Sequence, residues 1–407
     1  MIVSQNAYSR ISKSLPILRG WAILWIVAYH LMGNTRGYLV LEDAVSTLSK
    51  GGVKNTVESL LELFITAGST GVNVFLIISG FGLTASWWKK YGSRGATEIP
   101  LMTFWKRRFA RIFPPFWVAV AIATILYFIN PAWAPFGQDV WQAGGLSPFF
   151  AILTTLSTLR NFIPDHYYFL NGAWWYIGLS IQLYLVFPWL IRFGQRYGWR
   201  KLLIGSLLFS LAYRAVFCLL FFDDSLIPLA FFPSRLFEFT LGIYLAITTL
   251  QTPKTNDGSK LDYWLQTLLP MPQFVPLSLS LFLVGLSFEW LSYSALHIFS
   301  EAIIGIGLFY SFLGLSQLVA KLEKLRAGQL SRTLGKYSYG IYLTHMNVYL
   351  VLWPMAGWIP SYWLRFLLVA IACCAMGIAF EIGFYVCSKA ATSLTLKNGE
   401  LSSNSEH

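Results

Sequence analysis

The stretch Pro16-Ile-Leu-Arg-Gly-Trp-Ala-Ile-Leu-Trp-Ile-Val-Ala-Tyr-His30 places two ionisable side chains, Arg19 and His30, in an otherwise apolar run. An ionisable residue in a membrane helix costs about 2.5 to 3.5 kcal/mol on insertion scales, so such residues usually mark a pathway or a reactive site. The separation of 11 positions spans about three helical turns, so both side chains leave the same face, about 16 Å apart along the axis. One helix face therefore carries a fixed cation at one end and a titratable imidazole deeper in.

The composition of the whole chain agrees with a membrane location for this stretch. Of the 407 residues, 56% are hydrophobic and only 12% are charged, whereas a soluble domain averages about 25% charged residues. We therefore predict an all-α, polytopic membrane protein. Apolar runs of about 20 residues predict about ten transmembrane helices, at residues 16–32, 72–88, 112–129, 174–193, 202–222, 226–250, 275–291, 296–319, 337–355 and 363–387.

The distribution of basic residues predicts the orientation of these helices. With the N-terminus in the cytoplasm, 23 of the 30 Lys and Arg residues lie on the cytoplasmic side, as the positive-inside rule requires. Both termini are then cytoplasmic, and the net charge of +12 reports topology and attraction to membrane lipid, not nucleic-acid binding. Residues 1–390 are predicted to form a single transmembrane domain, followed by a polar, disordered tail at 391–407.

A second cluster of cations lies in Lys106-Arg-Arg-Phe-Ala-Arg-Ile-Phe-Pro-Pro115, which leads from a cytoplasmic loop into the third predicted helix. Arg108 and Arg111 are three residues apart and share a helix face. Guanidinium groups at the membrane entrance suit a polyanion, such as the phosphates of a nucleotide-like donor. Simple obedience to the positive-inside rule is the alternative, and we prefer it for Lys106 and Arg107.

Four further polar residues in predicted helices have competing interpretations. Ser79 lies in a segment rich in small residues, which predicts close helix packing; it would act as a nucleophile only with a base within reach. Arg235 and Glu238 either neutralise each other at a three-residue spacing or hold the cation at a site. His345 shares with His30 the choice between proton transfer and a hydrogen bond that joins two helices.

The loops carry two further expectations. The connection at residues 130–173 is rich in Pro, Gly and aromatic residues, which favours an ordered flap on the outer mouth of the bundle, with a short interfacial helix at 147–159. Glu289 and Glu301 are predicted near the outer ends of their helices, where water is available.

Five short motifs occur in order along the predicted helices: Arg19 with His30; Ser79-Gly80-Phe81; Arg108-x-x-Arg111; Arg235-Leu-Phe-Glu238-Phe with Gly242; and Ser338-Tyr-Gly-Ile-Tyr-Leu-Thr-His345. From about Pro16 to Cys387 this pattern resembles the acyltransferase family 3 membrane acyltransferases. The likeness implies transfer of an acyl group, usually acetyl, from a cytoplasmic acyl-CoA to a hydroxyl of an extracytoplasmic or lipid-linked carbohydrate, in the inner membrane of a bacterium.

The same resemblance implies roles for individual residues. The catalytic Arg and His of the family correspond to Arg19 and His30, and its donor-binding pair corresponds to Arg108 and Arg111, with Arg19 beside them; no metal is implied. Ser180 stands where many members have a Glu. His30 could then be a general base or an acyl relay.

Two other classes of protein stay open at this point. Buried Arg and His residues also line the pathway of transporters and flippases for anionic or lipid-linked substrates. A non-catalytic scaffold in glycan assembly is the other class, since Ser180 departs from the family pattern. Neither the particular glycan nor the oligomeric state follows from these residues.

Overall fold

The structure is a computed structural model that describes residues 2–38, 53–94, 100–217, 230–251, 264–265, 270–290, 295–321 and 326–404. Within these ranges the chain forms α-helices and short 3-10 turns, with no strand. The predicted all-α fold is therefore confirmed.

The α-helices of the described residues follow one another in this order: α1 (Ile2–Thr35), α2 (Val53–Thr66), α3 (Gly71–Lys90), α4 (Leu101–Ile129), α5 (Gln138–Gln142), α6 (Ser147–Leu156), α7 (Trp175–Tyr197), α8 (Trp199–Val216), α9 (Leu236–Leu250), α10 (Val275–Trp290), α11 (His297–Lys321), α12 (Arg326–Lys336), α13 (Ser338–Met355) and α14 (Tyr362–Asn404).

Seven stretches of the described chain are long and apolar enough to cross a membrane: Ala7–Thr35, Thr56–Lys90, Leu101–Ile129, Gly172–Tyr197, Pro272–Trp290, His297–Val319 and Tyr362–Ala390. The chain is thus an all-α membrane protein. The other three predicted spans overlap α8, α9 and α13, which are 18, 15 and 18 residues long. Parts of two of them, at residues 218–229, lie outside the described residues. A count of ten spans stays a prediction.

The C-terminal helix and the connection at residues 130–173 can be compared with the predicted boundaries. Helix α14 continues to Asn404, and the division into a domain at 1–390 and a tail at 391–407 stays a prediction. Adding residues to an existing helix avoids the unfavourable nucleation step. Helix α6 confirms the short helix expected at 147–159. Around it the flap is ordered, because Tyr167, Phe169 and Leu170 are fully buried.

Helices α3 and α9 touch through their backbones. A Cβ atom on Gly80 would overlap the carbonyl oxygen of Phe239, and one on Gly242 would overlap the carbonyl oxygen of Ile77. Small residues allow this approach in a membrane, where van der Waals packing and not water exclusion holds helices together. The packing role predicted for the small residues around Ser79 is therefore present at Gly80.

The same kind of contact joins α1 to α12. A Cβ atom on Gly20 would overlap the carbonyl oxygen of Ser331, and one on Gly335 would overlap that of Pro16. The Trp21 indole also donates a hydrogen bond to the Ser331 hydroxyl, at 3.1 Å. Because α12 leads directly into α13, this contact places the Arg19 end of α1 beside the start of α13.

We expect Gly80→Ala to destabilise the protein by about 1–3 kcal/mol, because the added methyl group overlaps the α9 backbone and forces the helices apart. Gly383→Ala is the matched control, since a Cβ atom there meets nothing within 4 Å. That substitution should leave the stability unchanged or raise it by up to about 1 kcal/mol. Thermal unfolding in detergent measures both; equal midpoints for the two variants would contradict the close approach of α3 and α9.

Candidate functional site

A cavity of about 380 Å³ lies between α1, α3, α4, α7, α13 and α14. Its lining includes Arg19, Arg108 and Arg111. The structure therefore brings together the three arginines that the sequence predicts for one anion-binding site, although they come from two helices.

The charge of this cavity is strongly positive. Among the described residues, none of its three arginines makes an ion pair with a carboxylate. Lys336 also lines the cavity. It lies outside the membrane-spanning segments, and its contact with the Tyr337 side chain raises the pKa of its ammonium group. Guanidinium groups that form no ion pair with a described carboxylate favour an anionic ligand such as a phosphate.

Glu381 supplies a carboxylate to the cavity, and our sequence reasoning missed it. Its Oε2 atom accepts a hydrogen bond from the Gly340 backbone N–H, at 2.8 Å. Gly340 is the third residue of α13, where backbone N–H groups have no partner within the helix. Glu381 thus caps α13 from α14. The available signal was a lone carboxylate inside an apolar run, which is costly in a membrane.

Two serines that the sequence singled out also line the cavity. The Ser79 hydroxyl donates to the Tyr184 hydroxyl at 3.4 Å. No imidazole or carboxylate lies within hydrogen-bond distance of Ser79 in the described part of the chain, so a role for it as a nucleophile finds no support. Ser180 also lines the cavity. The carboxylate in this cavity comes from Glu381 of α14 and not from the position of Ser180 in α7.

His30 and His345 form a contact that joins α1 to α13. The Nε2 atom of His345 lies 3.2 Å from Nδ1 of His30, and the ring centroids are 5.1 Å apart. His345 is fully buried and His30 is partly buried. Sequence reasoning treated these residues as separate candidates, and the structure makes them one pair.

The histidine pair lies one helical turn beyond the cavity. Ile26 and Tyr342 line the cavity, four residues before His30 and three before His345. The Tyr342 ring packs edge to face on Tyr176, with centroids 5.8 Å apart. The cavity therefore extends from the arginines towards the two imidazoles and reaches aromatic walls beside them.

The candidate site residues Arg235 and Glu238, just before and within α9, lie elsewhere. Arg235 forms an ion pair with Glu301, and Glu238 pairs with Arg214 at 3.1 Å. Asn73 bridges the first pair: it accepts from Arg235 at 3.0 Å and donates to Glu301 at 2.8 Å. All four charged residues are at most 5% exposed. They do not line the cavity.

Two expectations are therefore corrected. Arg235 and Glu238 do not pair with each other, because Arg235 belongs to the 3-10 turn Phe232–Arg235 that precedes α9 and lacks helical geometry relative to Glu238. Glu301 lies near the start of α11, as expected, but it is buried against Arg235 and not exposed to water. In a low-dielectric interior each of these charges needs an opposite charge beside it.

The family model described as an acyltransferase domain, that of acyltransferase family 3, matches residues 12–386. The chain belongs to this family. The matched region contains the arginine-lined cavity and the histidine pair, which confirms the resemblance that the five motifs indicate.

Individual relatives agree with this assignment. The chain is 26% identical over 377 residues to the O-acetyltransferase OatA of Staphylococcus aureus (strain NCTC 8325 / PS 47), an alignment that covers 88% of this chain and 54% of that protein. A putative O-acetyltransferase of S. aureus strain COL is 22% identical over 326 residues, covering 74% of this chain and 49% of the relative.

One relative, from an animal, is not named as an acyltransferase. The regulator of hypoxia-inducible factor 1 of Caenorhabditis elegans is 25% identical over 257 residues, covering 60% of this chain and 48% of that protein. The chain spans about half the length of these curated relatives. No solved structure matches it significantly.

We expect Glu301→Gln to destabilise the protein by about 3–5 kcal/mol, because it leaves the Arg235 cation buried without its counter-ion. Glu58→Gln is the matched control. Glu58 pairs with Arg36 at 2.7 Å, but both side chains are about one third exposed, and such pairs contribute about 0–1 kcal/mol. Thermal unfolding in detergent compares the two variants; a larger loss in the Glu58 variant would contradict the role given to the buried pair.

Proposed function

We propose that the protein is an O-acyltransferase that moves an acyl group, most simply acetyl, from a cytoplasmic acyl-CoA to a hydroxyl of an extracytoplasmic or lipid-linked carbohydrate. The observation that carries this proposal is the alignment of two groups along the bundle. A cavity lined by three arginines, none of which forms an ion pair within the described part of the chain, runs to within one helical turn of a histidine pair. Family membership and the O-acetyltransferases among the relatives support the same class.

Acyl-CoA is the donor that suits the cavity. Its phosphates would bind Arg108, Arg111 and Arg19, with Lys336 at the same mouth. About 16 Å separate Arg19 from His30 along the axis of α1, and the pantetheine arm would cover this distance with the thioester at the histidine end. The donor is a co-substrate, and no step of the proposal calls for a metal ion.

The proposed reaction uses His30 for proton transfer. Its imidazole would take the proton of the acceptor hydroxyl while the oxygen attacks the thioester carbon. As the C–S bond breaks, the proton passes from the imidazolium to the departing CoA thiolate. In the other version the imidazole attacks first and carries the acyl group to the acceptor. Ping-pong kinetics, or an acyl group trapped on His30, would select this relay.

The orientation that supports this division of labour is the one predicted from the basic residues. Ten spans with both termini in the cytoplasm put the arginine mouth on the inner side and the histidines further out. Residues 1–390 would form the acyltransferase domain in the inner membrane of a bacterium. Mass spectrometry of surface glycans from cells with and without the protein identifies the acceptor.

We expect His30→Ala to abolish transfer of labelled acetyl from acetyl-CoA to glycan in membranes, because it removes the imidazole that would take the proton of the acceptor hydroxyl. His166→Ala is the matched control, since that histidine lies in the flap, bonded to Thr154 at 2.9 Å, and should retain activity. Both variants must reach the membrane in wild-type amounts. Normal transfer by His30→Ala would overturn the catalytic assignment. Purified wild-type protein without transfer activity would favour a transporter or a scaffold.

We expect Arg108→Ala and Arg111→Ala to raise the KM for acetyl-CoA about tenfold or more, because each removes a charge-assisted bond to the donor phosphates, worth about 1.5–3 kcal/mol. Arg107→Ala is the control within the same run. Arg107 is exposed and does not line the main cavity. Steady-state kinetics measure the KM for acetyl-CoA of each variant. An equal KM in all three variants would contradict the assignment of Arg108 and Arg111 to the donor site.

A further inference from the structure

The His345 ring is held by its own helix in a way that defines its tautomer. Its Nδ1 atom lies 2.9 Å from the Tyr342 carbonyl oxygen and 3.1 Å from that of Ile341. Carbonyl oxygens only accept hydrogen bonds, so this nitrogen carries the hydrogen. In a neutral imidazole the other nitrogen then has a lone pair. His345 therefore presents Nε2 to His30 as an acceptor.

The same reasoning defines the tautomer of His30. Its Nδ1 atom lies 3.0 Å from the Ile26 carbonyl oxygen and 3.2 Å from Nε2 of His345. Both neighbours are acceptors, so Nδ1 of His30 must carry the hydrogen. The lone pair of a neutral His30 is then on Nε2, which has no hydrogen-bond partner among the described residues. Only one arrangement of hydrogens on the neutral pair satisfies all these contacts.

We propose that His345 is the positioning residue of the active site: by accepting the Nδ1 hydrogen of His30 it holds Nε2 of His30 as the reactive nitrogen. A carboxylate often does this work for a catalytic or metal-binding histidine. Neither imidazole touches a carboxylate in the described part of the chain. Ser180 provides none from α7, and Glu381 is engaged at Gly340. This inference rests on the proposed acyl transfer at His30.

The pair also accommodates the charge that the reaction creates. When Nε2 of His30 takes the proton of the acceptor hydroxyl, the O–H bond breaks, an N–H bond forms and the ring becomes an imidazolium. Its Nδ1–H then donates more strongly to the neutral Nε2 of His345 and to the Ile26 carbonyl. The proton leaves again from Nε2 to the CoA thiolate. The proton on Nδ1 stays in place throughout, so each ring ends as it began.

His345 could instead serve only to attach α13 to α1, and two isosteric substitutions separate these roles. The amide of His345→Asn has an NH₂ group near the Nδ1 position, which keeps the bond to the α13 carbonyls but offers no acceptor to His30. The amide of His345→Gln reaches further and places its oxygen near the Nε2 position. A purely structural role favours Asn, and a positioning role favours Gln.

The experiment measures acetyl transfer by purified wild-type protein and by His345→Asn, His345→Gln and His345→Ala, with membrane abundance and thermal midpoint recorded for each. We expect His345→Gln to keep kcat within about tenfold of wild type. His345→Asn and His345→Ala should lose about 10²-fold or more in kcat, the scale of general acid–base catalysis. The KM for acetyl-CoA should stay within about twofold in all three, since the donor binds at the arginines. If His345→Asn does not accumulate, restoration of His345→Ala by added imidazole replaces it.

The following results would overturn the proposal. Activity of His345→Asn equal to or above that of His345→Gln means that His345 only anchors α13, as does a failure of imidazole to restore His345→Ala. Wild-type protein and His30→Ala are assayed in parallel. If wild type is inactive, or His30→Ala is active, the proposed function fails and the role of His345 fails with it. An active wild type, an inactive His30→Ala and a fully active His345→Asn overturn the pairing alone.

Discussion

The cost of placing an ionisable side chain in a membrane interior governs the arrangement of this bundle. Without water around it, a charged group must meet an opposite charge, a hydrogen-bond partner or a cavity. The buried polar residues separate along these lines. Arg235 and Glu238 pair with charges from other helices, whereas Arg19, Arg108 and Arg111 face a cavity and form no ion pair with any described carboxylate. The first group stabilises the bundle, and the second leaves positive charge free for a ligand.

Close packing of the helices brings the polar residues of the site together. The glycine contact between α1 and α12 brings the Arg19 end of α1 to the start of α13. One consequence is that the two helices run side by side far enough for His30 to meet His345. The cavity and the histidine pair therefore depend on the same approach of α1 to the C-terminal part of the chain. Glu381 extends this arrangement, because it attaches α14 to the first turn of α13.

Our two proposals use different properties of the site. Donor binding depends on charge, and its evidence is the unbalanced set of arginines around the cavity. Proton transfer depends on hydrogen positions, and its evidence is the set of acceptors around each imidazole. In these proposals an imidazole replaces a carboxylate beside His30, so the histidine pair has no fixed negative charge, and the proposed donor would bring its own anionic groups to the arginines.

Much of the fold and part of the site follow from local sequence pattern. Apolar runs marked the helices, and the spacing of Arg108 and Arg111 put both on one face, because helical periodicity is a property of neighbouring residues. Other contacts join positions far apart in the chain. They are the contact between His30 and His345, the hydrogen bond from Gly340 to Glu381, and the ion pairs of Arg235 with Glu301 and of Glu238 with Arg214. No local period encodes such contacts. The sequence alone thus determined an all-α membrane protein with a cluster of cations where one helix enters the membrane. Only tertiary packing decided which polar groups meet, since that depends on how helices approach one another.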